Sequence, residues 1–121
     1  MSAPDLADNA ALTGHRTIDR MVESARLRIA RLTPAQAKKD WDAGAVVVDI
    51  RPASQREAEG ELPGALVIER NVLEWRFDPA CDARLAIADY GLRVIVLCQE
   101  GYASSLAAAA LQDSASIERP T

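Results

Sequence analysis

Residues 94–112 read VIVLCQEGYASSLAAAALQ, and this stretch decides the fold. Four apolar residues, 94–97, form the pattern of a buried parallel strand. The run stops at Cys98. Five residues with a glycine near their centre follow, Gln99, Glu100, Gly101, Tyr102 and Ala103. Ser104 or Ser105 is then placed to cap a helix running through residues 106–111. A thiol therefore stands between the C-terminal end of a strand and the N-terminus of a helix. In open α/β sheets that is where ligands bind. The helix N-terminus presents unpaired N–H groups and a partial positive charge, and both favour a thiolate, the reactive form of cysteine. Taken alone, the pattern fits a buried structural cysteine as well as a reactive one.

The bulk composition narrows the field. A chain of 121 residues suits one domain with one modest core. The net charge of −4 is unevenly spread. Residues 1–39 carry seven Arg or Lys against four Asp or Glu, whereas residues 40–121 carry seven against fourteen. The acidic part holds Cys98, which argues against nucleic acid as its partner. No apolar run approaches the ~20 residues that a membrane span needs, and the first ten residues, MSAPDLADNA, lack the basic and apolar regions of a secretory signal. Two cysteines without an export signal point to reduced thiols and a cytoplasmic location. His15 is the only histidine, and no cluster has zinc spacing, so neither a metal nor a cofactor is expected.

Along the chain, residues 1–14 read as a flexible tail and 15–31 as a helical extension. In that extension Ile18, Met21, Val22, Ala25 and Ile29 fall at helical spacing, and Arg20, Arg26 and Arg28 lie mostly off the stripe, as a solvated face or a docking surface for an acidic partner. Residues 30–32 suit a short edge strand. Thr33 and Pro34 start a helix over 34–42, with Ala37 and Trp41 inward and Gly44 beyond its end. Residues 46–50 are β-branched and apolar, a second buried strand. A polar loop over 51–61 leads to a Leu62-Pro63-Gly64 turn and another strand at 65–68. Short helical pieces are expected near 71–75 and 83–89. Strands alternating with helices predict a parallel sheet with right-handed crossovers.

Three motifs coincide in order. VVVDIR at 46–51 ends a strand in Asp-x-Arg. EGELPGALVIE at 59–69 places Gly60, Pro63, Gly64 and Ala65 in a Gly-x-x-Pro-Gly-Ala order. The strand, Cys98, loop and helix complete the set. Together they resemble rhodanese-like domains, the single-domain sulfurtransferase family, over roughly residues 32–112. The resemblance implies an α/β, three-layer domain, a small parallel β-sheet flanked by helices, over residues 32–121. It also implies an activity in which the cysteine takes sulfane sulfur from a donor as a persulfide and passes it to a thiol acceptor. Carried onto this chain, Cys98 is the nucleophile, and the backbone N–H groups of Gln99, Glu100, Gly101, Tyr102, Ala103 and Ser104 cradle the persulfide. Asp49 and Arg51 tie down neighbouring loops by a charge-assisted pair, with a solvated Arg51 as the alternative, and Pro63 and Gly64 are structural.

Two departures from the family pattern matter. The family's histidine after the first glycine is Glu61 here, and the cysteine loop carries Glu100 and no Arg or Lys. Two unit charges ~5 Å apart at an effective dielectric of ~20 interact by roughly 3 kcal/mol, against about 0.3–2 kcal/mol from a helix N-terminus. Thiosulfate, a dianion, is therefore expected to be a poor donor. The chain also looks short at its C-terminus. Residues 113–121, DSASIERPT, are too polar and too few for both the family's last strand and its last helix, so the reading expects these to be missing. An open edge beside the cysteine strand then calls for cover, from residues 30–32, from the tail around Ile117, from helix 17–30, or from a second copy or partner chain. A cysteine phosphatase needs Cys-x5-Arg, and that position is Ser104. The remaining alternative is a non-catalytic regulatory or interaction module. Cys81, on a connection without a partner motif, reads as a partly buried small residue.

Overall fold

The computed structural model describes residues 17–99 and 101–111 in full, and the backbone of 115–118. The 1–14 tail and Glu100 lie outside the described residues. Helix α1 (Ile18–Arg26) starts at Thr17, whose hydroxyl accepts from the Arg20 N–H. Strand β1 (Ala30–Leu32) leads to α2 (Pro34–Asp42). There Thr33 and Gln36 form a reciprocal capping box, each side chain accepting from the other's backbone N–H. Then come β2 (Val46–Asp49), α3 (Ala53–Glu59), β3 (Leu66–Val67), a 3-10 turn (Arg70–Val72), α4 (Leu73–Phe77), β4 (Val94–Cys98), α5 (Tyr102–Leu111) and β5 (Ala115–Glu118).

The five strands form one parallel sheet in the order β1-β5-β4-β2-β3. Strand β4 lies at its centre and is buried at all five residues. Its side chains alternate between two cores. Val94, Val96 and Cys98 pack with Val48, Leu73, Phe77, Ala107 and Ala108 on the face covered by α4 and α5. Ile95 and Leu97 pack with Ala37, Ala45 and Val47, and with partly buried Trp41, on the face covered by α2. Three layers result. Ala107, Ala108 and Ala109 are buried, and these small residues let α5 lie close over β4. Among the described residues no helix is long and apolar enough to cross a membrane.

The expected missing strand is present. Residues 115–118 pair on one side with β4, Cys98 opposite Glu118, and on the other with β1. Alanine, serine and glutamate are weak strand formers, but a buried central strand needs hydrogen-bonding partners on both edges, and that long-range demand overrides local propensity. The open edge on which self-association was expected is therefore filled from within the chain, by the tail around Ile117. Helix α1 packs on α5, burying Val22 and Ala25 while Ile18 and Met21 stay exposed. The helix expected near 83–89 is not formed. Asp78 and Asp89 instead accept from the N–H groups two residues on, at Ala80 and Gly91, and such turns compete with helix.

The position of β5 inside the sheet predicts that Ser116→Pro, which removes a ladder donor between two strands, destabilises the fold by at least about 1–3 kcal/mol. Ser116→Thr should be close to neutral. Equal urea midpoints for the two variants would contradict this placement.

Candidate functional site

Cys98 ends β4 and its side chain faces the α5 side of the sheet. It is 7% exposed. Two backbone N–H groups donate to its sulfur, from Gly101 at 3.1 Å and from Ser104 at 3.3 Å. The turn that aims them needs Gly101 at φ +82°, a left-handed conformation that glycine adopts without strain. Helix α5 starts at Tyr102, directly after this turn, so Ser104 and Ser105 are not its caps as expected but stand in its first turn, fully buried. The Ser105 hydroxyl donates to the Gly101 carbonyl at 2.6 Å. The buried Ser104 hydroxyl has no hydrogen-bond partner among the described residues. Of the other loop residues, Gln99 is half-buried, and Tyr102 and Ala103 are exposed.

The adjoining strand β2 delivers Asp49 and Arg51 at the same end of the sheet. Both are buried, at 1% and 2% exposed, which excludes the solvated reading of Arg51. The guanidinium donates from Nε and Nη2 to the Asp49 carboxylate, with Nη2–Oδ2 at 2.7 Å, from Nη1 to Glu59 at 3.1 Å, and from Nη2 to the Gly60 carbonyl at 2.9 Å. These bonds join the end of β2 to the end of α3. Hydrogen bonding to Asp49, more than to Glu59, holds the guanidinium's pKa above its already high ordinary value against the opposing effect of burial. Glu61 pairs with Arg56 at 3.1 Å on the surface, and Arg56 also donates to the Arg51 carbonyl. Pro63 and Gly64 form the turn before β3, and a Cβ on Gly64 would stand 3.1 Å from the Trp41 ring. Their role in the structure is to shape that turn, with Gly64 at φ +88°.

One residue at the loop has no place in the expected motifs. Arg26, the last residue of α1, donates from Nε to the Ser105 hydroxyl at 3.2 Å and from Nη2 to the Gly101 carbonyl at 3.3 Å. Its guanidinium stacks over the Tyr102 ring, 5.1 Å from the centroid. Arg28 donates to the Ala109 carbonyl in the last turn of α5. The solvated reading is thus corrected for Arg26, while Arg28 stays exposed as it makes its bond; the sequence signal was only their position off the apolar stripe. Cys81 is half-buried, and both cysteines are free thiols. A cavity of about 580 Å³ lined by Glu74, Phe77, Tyr90, Val94 and Leu111 lies at the Val94 end of β4, away from Cys98.

A model of the rhodanese-like domain matches residues 33–119. The chain belongs to the rhodanese-like family. It is similar over 85% of its length, at 32% identity and a TM-score of 0.75, to a protein of unknown function from Rhodopseudomonas palustris described as a possible tyrosine phosphatase, 84% of which is covered. It shares its fold with a rhodanese homologue from Thermus thermophilus, at 20% identity and a TM-score of 0.51, over 74% of this chain and 94% of that one. The same share of this chain overlays 15% of the Bacillus anthracis CoADR-RHD structure, with a TM-score of 0.57 and 15% identity. No match was found among curated proteins. The rhodanese-like match leaves α1 outside, so Arg26 reaches the cysteine loop from beyond the family's own residues.

Removing one partner from a buried ion pair strands the other's charge. Arg51→Met should therefore cost about 3–5 kcal/mol in urea denaturation, whereas Glu61→Gln, at an exposed pair, should cost less than about 1 kcal/mol. Equal losses would show that the Asp49–Arg51 pair does not hold the loops.

Proposed function

We propose that this rhodanese-like protein is a sulfur carrier or sulfurtransferase that takes sulfane sulfur onto Cys98 as a persulfide and hands it to a thiol acceptor. The observation that supports this reading most is the pair of backbone N–H groups directed at the Cys98 sulfur. The Cys98 thiolate attacks the outer sulfur of a donor, an S–S bond forms, and the donor's remaining fragment leaves with the electron pair of the broken bond. An acceptor thiolate then attacks the outer sulfur of the persulfide, and Cys98 leaves as a thiolate. The N–H groups of Gly101 and Ser104 point at the Cys98 sulfur, so they stabilise the thiolate that attacks in the first step and the negative charge that returns to the same sulfur in the second, without reorganisation. The loop's own charge, Glu100 without a loop Arg or Lys, favours a thiol-bound donor, or a partner protein's persulfide, over thiosulfate. Two free thiols suit a reducing compartment such as the cytoplasm.

Phosphatase chemistry, which the R. palustris relative's description suggests for that protein, finds Ser104 where an oxyanion-gripping arginine is required. A second reading, a non-catalytic interaction module of rhodanese-like fold, draws support from the 7% exposure of Cys98, which leaves little room for a donor without movement.

Steady-state sulfur transfer separates these readings. The natural chain should transfer sulfur from a low-molecular-weight persulfide to a thiol, and Cys98→Ser should not. Thiosulfate turnover should be slow and should rise in Glu100→Arg or Gln99→Arg, by an amount corresponding to about 1–3 kcal/mol of lost repulsion or gained attraction. Transfer that survives in Cys98→Ser would overturn the assignment, and a natural chain inert towards every donor would favour the interaction module.

A further inference from the structure

The cysteine loop has no cation of its own, yet a guanidinium is hydrogen-bonded to it from 75 residues away in the chain. A continuous set of bonds runs from that side chain to the sulfur. Arg26 donates to the Ser105 hydroxyl and to the Gly101 carbonyl. Ser105 donates to the same carbonyl. The N–H of Gly101 donates to Cys98. Gly101 is thus held on both sides, and its left-handed backbone conformation is fixed by the groups that bind its carbonyl. Arg26 is half-buried and stacked on Tyr102, so its charge is partly withdrawn from solvent and screened less than that of a free surface arginine. Its own position is determined too. Val22 and Ala25 bury against α5, and Arg28 binds the far end of that helix. The C-terminal end of α1 and the residues just after it are therefore tied to α5 both at the cysteine loop and in its last turn.

We propose that Arg26 is the positioning residue of the Cys98 loop and sets the charge preference of the site. Supplied by a helix outside the rhodanese-like residues, it holds Gly101 in the sulfur-binding turn and offsets the negative charge that Glu100 brings to the loop. The site then repels anionic donors less than Glu100 alone would make it, and the slow turnover left to an anion such as thiosulfate depends on Arg26. This builds on the sulfur-carrier reading for its biological use, but alkylation of Cys98 needs a thiol and no sulfur transfer, so the two fail separately.

The test compares iodoacetate, an anion, with iodoacetamide, its neutral analogue, reacting at Cys98 and followed by peptide mass mapping so that Cys81 is scored apart. The ratio of the two rates is normalised to that of a small free thiol, which cancels general changes in accessibility. In Arg26→Gln the ratio should fall roughly 3- to 10-fold, and in Arg26→Lys, which keeps the charge, it should stay within about 2-fold of the natural value. Added salt should leave the ratio nearly unchanged in the natural chain and raise it in Arg26→Gln, where Glu100 is no longer offset. An Arg26→Gln ratio equal to the natural one overturns the proposal. Should that variant fail to fold by circular dichroism, Glu100→Gln decides: with Arg26 unopposed its ratio should rise above the natural one and fall with added salt, and a ratio that stays at the natural value and ignores salt overturns the proposal.

Discussion

Two backbone amides turned towards one buried sulfur set the terms for the rest of the molecule. For Gly101 and Ser104 to reach Cys98 at 3.1 and 3.3 Å, a strand must end and a helix must begin within four residues. That geometry needs a glycine at positive φ. It also needs a helix packed closely on the strand, which the buried alanines 107–109 allow. The strand itself must be held on both edges, by β2 and by β5. The sulfur is buried between β4 and α5, and hydrogen bonds gain strength where water is largely excluded.

Charge is managed around this point by two arginines that never meet the sulfur in a hydrogen bond. Arg51 is consumed in a buried ion pair with Asp49, with Glu59 and Gly60 completing its donors, and this network joins β2 to α3. Arg26 comes from the opposite side and fastens the loop carbonyl. The first shapes the frame and the second shapes the loop. The family match covers residues 33–119, the frame and the cysteine loop but not α1, so a reading confined to the family's residues describes the loop as lacking a cation.

What was legible in the chain follows the range of each interaction. The strand at 94–98, the Thr33 cap and the Asp49–Arg51 pair are written within a few residues of themselves, and each stands where the sequence places it. Strand β5 was not legible, because ASIE has a single strong β-former, Ile117, and its place depends on the unsatisfied edges of β4 and β1, far away in the chain. The capping roles read for Ser104 and Ser105 failed because the turn at Gly101 starts α5 earlier, which drives both hydroxyls inward. Arg26 meets the loop across 75 residues, and nothing local distinguishes it from Arg20 on the same helix.

The most direct test of a sulfur-carrying Cys98 is intact-protein mass spectrometry with peptide mapping after brief exposure to a persulfide donor and its removal. The account predicts a single adduct of about 32 Da, one sulfur atom, confined to the Cys98 peptide and discharged by an added thiol. A folded chain that gains no sulfur at Cys98, or gains it only at Cys81, would contradict it.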